Sequence, residues 1–214
     1  MTQDQSPIAK EGLPFIAIAA FLTLVFLLLG WKILTALGII LTLFVVFFFR
    51  NPERKIPRLQ NVIVSPADGK IIEVAEAQER RFLSEKTLKV SIFMSLFDVH
   101  INRSPAAGKI LQKKYYPGEF RVAHAEKSSL ANEQNVLLME TEDRYHIVLV
   151  QIAGIVARRI VCYPKPGDLL KRGEIFGLIR FGSRVDLYLP LDVRVAVKVG
   201  QKVKAGESII GYRS

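Results

Sequence analysis

The sequence predicts a mainly β protein, a barrel-like sandwich built from two related halves and preceded by an N-terminal hydrophobic helical hairpin. Three observations predict it. Two long uncharged runs fill most of the first fifty residues. Beyond them the pattern changes to short Val- and Ile-rich runs broken by Gly, Pro and Asp, with no long helical periodicity. Two motifs then each occur twice.

Leu13–Gly30 and Ile33–Phe49 are uncharged and almost wholly apolar. Each is about 17–18 residues long, near the lower limit for a helix that crosses a bilayer. A secretory signal has one shorter run and a small-residue cleavage site, whereas the second run ends in Phe47, Phe48 and Phe49. The turn at Trp31-Lys32 is short, so the chain enters and leaves on one side, whether it spans the bilayer or re-enters. Arg50, Arg54, Lys55 and Arg58 follow. The positive-inside tendency then places the large domain on the cytoplasmic side of a bacterial inner membrane. The expected division is residues 1–50 as membrane hairpin and 51–214 as β-rich domain, with the Pro-containing, basic stretch Asn51–Gln60 as linker.

The chain carries a net charge of +10. Only Lys10, Lys32, Arg50, Asp4 and Glu11 lie in the first fifty positions, so most of that charge belongs to the β-rich domain. A basic domain tethered to a bilayer suits an anionic lipid surface. No nucleic-acid recognition motif accompanies the charge, and no nucleic-acid partner is expected. Cys162, the lone cysteine, cannot form an internal disulfide, which fits a reducing compartment; within Ile160–Tyr163 it reads as core. No metal site is expected.

Lys89–Phe93, Tyr145–Ile152, Arg158–Tyr163 and Val185–Leu189 read as strands. Ser65-Pro-Ala-Asp-Gly-Lys-Ile71 is echoed by Ser104-Pro-Ala-Ala-Gly-Lys-Ile110, and Pro166–Gly177 by Val199–Gly211. Such glycine-marked repeats resemble the small flattened barrels of lipoyl and biotinyl carriers. Neither repeat has the Met-Lys pair that marks a modifiable lysine.

Gly182-Ser183 stands just before a predicted strand, between the two glycine repeats. Alone, Gly-Ser is a plain turn signal. Together with Val64–Gly69, Phe97–Pro105 and Ala131–Asn135, in this order, the chain resembles the phosphatidylserine decarboxylase proenzymes, in their short, archaeal-like branch. The resemblance runs from about Asn51 to the C-terminus.

That resemblance implies self-cleavage between Gly182 and Ser183, giving a β chain of residues 1–182 and an α chain of residues 183–214. Ser183 Oγ would attack the Gly182 carbonyl, turning amide into ester. Loss of the serine α-proton would expel the carboxylate, and hydrolysis of the remaining dehydroalanine would leave a pyruvoyl group and ammonia. This covalent pyruvoyl group, made from Ser183, would be the only cofactor. It would form a Schiff base with the amino group of phosphatidylserine, whose decarboxylation yields phosphatidylethanolamine and CO2. The resemblance also implies roles for His100 as proton donor, for Asp68 as base or orienter, and for Asp98 beside them. Alternation puts Asp98 and His100 on one face of a strand. His124 and His146 read as structural.

Two departures separate the chain from the longer bacterial branch. Phe181-Gly-Ser-Arg184 replaces Leu-Gly-Ser-Thr, and Arg103 stands where that branch has a second histidine. The cleavage base is therefore either His100 or Asp68. Arg103 stays charged and suits a phosphate or carboxylate instead. Two other functions fit the same features: decarboxylation of another serine-headed lipid such as archaetidylserine, and a non-enzymatic, membrane-anchored adaptor with a lipoyl-like sandwich. The α and β chains of one proenzyme would stay associated, with a homo-oligomer as a further partner arrangement.

Overall fold

The computed structural model describes residues 6–118, 132–154, 159–180 and 182–213. His124, Ala131, Arg158 and Phe181 lie outside the described residues. The chain divides into two compact units, Met1–Glu53 and Arg54–Ser214.

In the first unit, a single tight turn at Lys10–Gly12 leads into helix α1 (Leu13–Leu28), with Pro14 in its first turn. Proline suits that place because its missing N–H would have had no helical partner. Helix α2 (Lys32–Phe48) packs back on α1, and the Thr23 and Thr42 hydroxyls meet at 3.2 Å. Leu24, Leu28, Ile33, Ile40 and Leu43 project outward and are exposed. A helix pair inside a water-soluble core would bury them. Lys10–Leu28 is long and apolar enough to cross a membrane, by length and composition; Lys32–Phe48 is apolar but shorter.

The second unit is mainly β, as expected. Its strands are β1 (Val62–Val64), β2 (Gly69–Glu79), β3 (Glu85–Met94), β4 (Ile101–Arg103), β5 (Gly108–Tyr116), β6 (Gln134–Thr141), β7 (His146–Ala153), β8 (Ile160–Cys162), β9 (Leu169–Leu170), β10 (Ile175–Ile179), β11 (Ser183–Leu189), β12 (Arg194–Val195), β13 (Lys202–Val203) and β14 (Ile209–Tyr212). Eight of them form one curled sheet in the order β13-β2-β3-β11-β7-β6-β5-β9, with two-residue strands at both edges. Short edges leave little unpaired backbone for wrong partners. Two three-stranded sheets, β1-β14-β12 and β4-β10-β8, complete the sandwich. Ile71, Ile92, Ile110, Met139, Phe176 and Val185 belong to the core between the sheets. A second buried cluster, around Val136, Val150 and Tyr188, lies on the other face of the large sheet.

The internal repeats are real structural equivalents, and the backbone hydrogen bonds show it pair by pair. Ser65 Oγ donates to Ala67 O, as Ser104 Oγ does to Ala106 O. Val64 N donates to Pro105 O and Arg103 N to Pro66 O, each at 2.9 Å, so the two turns clasp each other reciprocally. Gly206 N donates to Ser65 O and Gly173 N to Ser104 O, both at 2.8 Å. Strand β14 pairs β1 as β10 pairs β4, and β2–β3 carries its bulge at Ile71 as β5–β6 does at Ile110. A Cβ on Gly69 would lie 2.1 Å from Phe93 O and one on Gly108 2.4 Å from Glu140 O, so both repeats need glycine for the same close strand approach. The halves meet at the centre of the large sheet, where β11 pairs β7 and Leu187 faces Leu149.

Candidate active site

Ser183 is the first residue of β11, a central strand, and is fully buried. Its register neighbours are Met94 on β3 and Ala153 on β7. Gly182 precedes it with φ +34°, in the region that L side chains rarely adopt. A Cβ there would meet nothing within 4 Å, so conformation and not crowding calls for glycine. The Ser183 hydroxyl points inward and donates to Met94 Sδ at 3.3 Å. A thioether is a weak acceptor.

Asp68 lies at the same end of the sheet. Lys70, Phe93, Arg184 and Ile152 form one row across β2, β3, β11 and β7, so Asp68 heads a strand two places from Ser183, about 10 Å at the usual strand spacing. Its carboxylate accepts from Arg54 Nη2 at 2.9 Å and from Ala205 N at 2.8 Å. Burial pushes its pKa up, against the pull of Arg54 and of the Ala205 amide, with the nearby Asp98 charge adding to the rise. Arg54, Arg103 and Glu207 complete this charged group. Arg103 Nη1 donates to Gly173 O at 3.1 Å, and burial together with Arg54 pushes its pKa down to about 10, which leaves it charged at neutral pH.

The strand expected for Asp98 and His100 is absent. Both lie in the loop before β4, because the Asp98 carboxylate accepts from Ser95 N and Ser95 Oγ and closes a tight turn. His100 is buried beside β10, where Ile179 N donates to its carbonyl. Its Nδ1 lies 3.0 Å from the carbonyl of Asp98. A carbonyl can only accept, so Nδ1 carries the proton and Nε2 the lone pair of the neutral ring. The structure thus gathers Gly182, Ser183, Asp68 and His100 at one end of the sandwich, with Asp98 closing the adjacent turn and its charge acting on Asp68.

Several residues at this end escaped the sequence reading. Gln151 Nε2 donates to Asn102 Oδ1 at 2.8 Å, Asn135 Nδ2 donates to Gln151 Oε1 at 3.3 Å, and Asn102 Nδ2 points at Met94 Sδ at 3.7 Å. Asn132 Nδ2 donates to the carbonyl of Ala153, the neighbour of Ser183. Gln151 had left a signal: it is the one amide in the apolar strand Ile147–Ala153. Arg184 does not face this site. It lies on the other face of β11, fully buried, with two bonds to Asp186 and others to Glu73 and Ser91. Cys162 is partly buried against the core, and burial pushes its thiol up.

A carrier domain displays an exposed lysine at a hairpin tip. Buried polar side chains converging beside a Gly-Ser link with a positive-φ glycine suit an enzyme instead. The chain belongs to the phosphatidylserine decarboxylase family, whose profile matches residues 41–211. It is 53% identical to the phosphatidylserine decarboxylase proenzyme of Geotalea uraniireducens (strain Rf4) over 211 residues, 99% of each chain. The proenzyme of Syntrophotalea carbinolica is 50% identical and that of Geobacter sulfurreducens 47%, each again over 99% of both chains.

Proposed function

We propose that this chain decarboxylates phosphatidylserine to phosphatidylethanolamine, after cutting itself between Gly182 and Ser183 and converting Ser183 to a pyruvoyl group. The observation that carries this reading is the placement of Ser183: fully buried in a central strand, directly after a glycine with φ +34°. The pyruvoyl carbonyl would supply the electron sink for the pair released as CO2 leaves. The remaining work falls to side chains. A base, Asp68 or His100, takes the Ser183 hydroxyl proton. His100, with Nδ1 held on a backbone carbonyl, would take up a proton at Nε2 and then pass it to the substrate carbon as general acid.

The fold also suits a cut chain. Residues 183–214 would supply β11, β13 and β14, which pair with β3, β7, β2 and β1 of the other fragment, and β12, which pairs with β14. Arg184, second in the new chain, would hold its end through Glu73 and Ser91. The exposed apolar helices would anchor the enzyme in a bacterial inner membrane, with the basic domain on the cytoplasmic side near its anionic lipid.

Denaturing gels with intact-mass analysis test the reading. Wild type should yield a small C-terminal fragment beginning with a blocked, ketone-bearing residue 183, and Ser183→Ala should remain one inactive 24.1 kDa chain. Full activity in an uncut wild-type chain would sink it. Lipid extracts of the source cells separate phosphatidylserine from other serine-headed lipids.

A further inference from the structure

Asn102 is fully buried on β4, and the direction of its amide is set by a backbone group some distance away. Val161 O can only accept, and Gln151 Nε2 lies 3.4 Å from it, so the Gln151 amide nitrogen faces β8. The same nitrogen donates to Asn102 Oδ1 at 2.8 Å, and Asn135 Nδ2 donates to the opposite side of Gln151. The chain of amides therefore has one polarity. It ends with Asn102 Nδ2 directed at Met94 Sδ, the same sulfur that receives the Ser183 hydroxyl. A fully buried amide donor resting on a thioether at 3.7 Å is poorly satisfied, and such groups cost stability unless a better acceptor uses them.

We propose that the better acceptor is transient: Asn102 Nδ2 donates to the oxyanion that forms on Gly182 when Ser183 Oγ attacks, and Gln151 is the positioning residue that holds the amide in that direction. This rests on the reading of Gly182–Ser183 as the cleaved link. In the step, the Ser183 hydroxyl proton passes to the base and Oγ bonds to the Gly182 carbonyl carbon. The carbonyl π pair moves onto oxygen, where Asn102 meets it. Collapse breaks the C–N bond, whose pair stays on the Ser183 nitrogen and takes up a proton, leaving the ester. A donor aimed in advance at developing charge stabilises the transition state without reorganising. The other half of the molecule supports this assignment. There the positions of Asn102, Gln151 and Asn135 are held by Ile63, Leu189 and Leu88, and no reactive serine stands beside them.

The test uses full-length protein carrying Asn102→Leu, Asn102→Asp or Gln151→Glu, followed by denaturing gel and intact mass over time, with and without hydroxylamine. Hydroxylamine cleaves esters and so reports whether the oxygen ester has formed. Asn102→Leu should slow self-cleavage about 10²- to 10³-fold, the usual loss for one oxyanion donor, and hydroxylamine should not restore scission. Gln151→Glu, which cannot donate to Asn102 Oδ1 when ionised, should slow it by a smaller factor. Circular dichroism and melting of the uncut precursors show which variants are folded; the near-isosteric Asn102→Asp covers a Leu variant that does not fold. Wild-type cleavage rates in a folded Asn102 variant would overturn the proposal. Rapid hydroxylamine-driven scission at Gly182 in an uncut variant would overturn it as well, because the ester would then form without the amide. If wild type itself is not cut at this link, the cleavage reading fails first, and that outcome is distinct from both.

Discussion

The two halves of the β-rich unit share a backbone and differ at one end. In one half the turn reads Pro66-Ala-Asp68-Gly69; in the other it reads Pro105-Ala-Ala107-Gly108. His100, whose carbonyl accepts from Ile179 N, stands where the first half has Asn61, whose carbonyl accepts from Arg213 N. Asn102 and Arg103 replace Ile63 and Val64, and Ser183 on β11 corresponds to Tyr145 just before β7. Each polar candidate is thus a position where the repeat is broken. The corresponding far end holds a groove of about 790 Å³ lined by Asn61, Ile63, Ala107 and Tyr145, among others. A duplicated scaffold explains why the candidate site is assembled from both halves: one contributes Asp68, Met94 and Ser183, the other His100, Asn102 and Gln151. The shared backbone bonds maintain the sandwich, so side chains at one end were free to diverge.

Copying the unreactive end into the reactive one breaks this comparison most severely. After the total loss expected for Ser183→Ala, the largest effect should come from His100→Asn, which installs the residue found at position 61. Lipid turnover should fall about 10²- to 10⁴-fold, the range for a lost general acid or base, as read by product formation from phosphatidylserine vesicles. Wild-type turnover would reduce His100 to a packing residue.

Asp68→Ala, which installs the residue of position 107, should next slow self-cleavage, by about 10²-fold or more where Asp68 is the base. The pH dependence has a definite sign. A protonated Asp68 cannot take the Ser183 proton, and burial raises its pKa. Wild-type self-cleavage should therefore slow on acidification, beginning above the ordinary carboxylate range. A rate that stays level down to that range would remove Asp68 as base.

Smaller effects sharpen the comparison. Asp186 is fully buried and relies on Arg184. In the uncut Ser183→Ala background, Arg184→Met should destabilise the fold by about 3–5 kcal/mol in urea unfolding, because it strands a buried charge. An unchanged midpoint would show that Lys89, 4.0 Å from Asp186, suffices alone. The smallest effect belongs to Ala107→Asp, which places a carboxylate at the unreactive end. Cleavage and turnover should stay at wild-type levels, since no His100, Asn102 or Ser183 stands near it. A loss of turnover beyond that explained by lowered thermal stability would contradict the assignment of chemistry to one end.

Much of this was legible beforehand. Val- and Ile-rich runs between turn residues marked β3, β7, β8 and β11, since strand propensity and turn chemistry are local. The repeats pointed to duplication, and Gly182-Ser183 became meaningful in company with three other stretches. The loop that carries Asp98 and His100 was misread as a strand, because the Ser95–Asp98 turn competes with extension through side-chain bonds that alternation does not register. Asn102 was quoted within its motif without a role, and Met94 was not singled out.

By itself, then, the amino-acid order determined the apolar helices, the strands, the paired motifs and the Gly-Ser link, all of which depend on neighbours within a few residues. Only the tertiary structure decided that Met94 receives both Ser183 and Asn102, that Gln151 orients Asn102, and that Arg184 turns away from the reactive end. Those outcomes depend on register and sheet face between strands distant in the chain, and burial there makes each hydrogen-bond partner count.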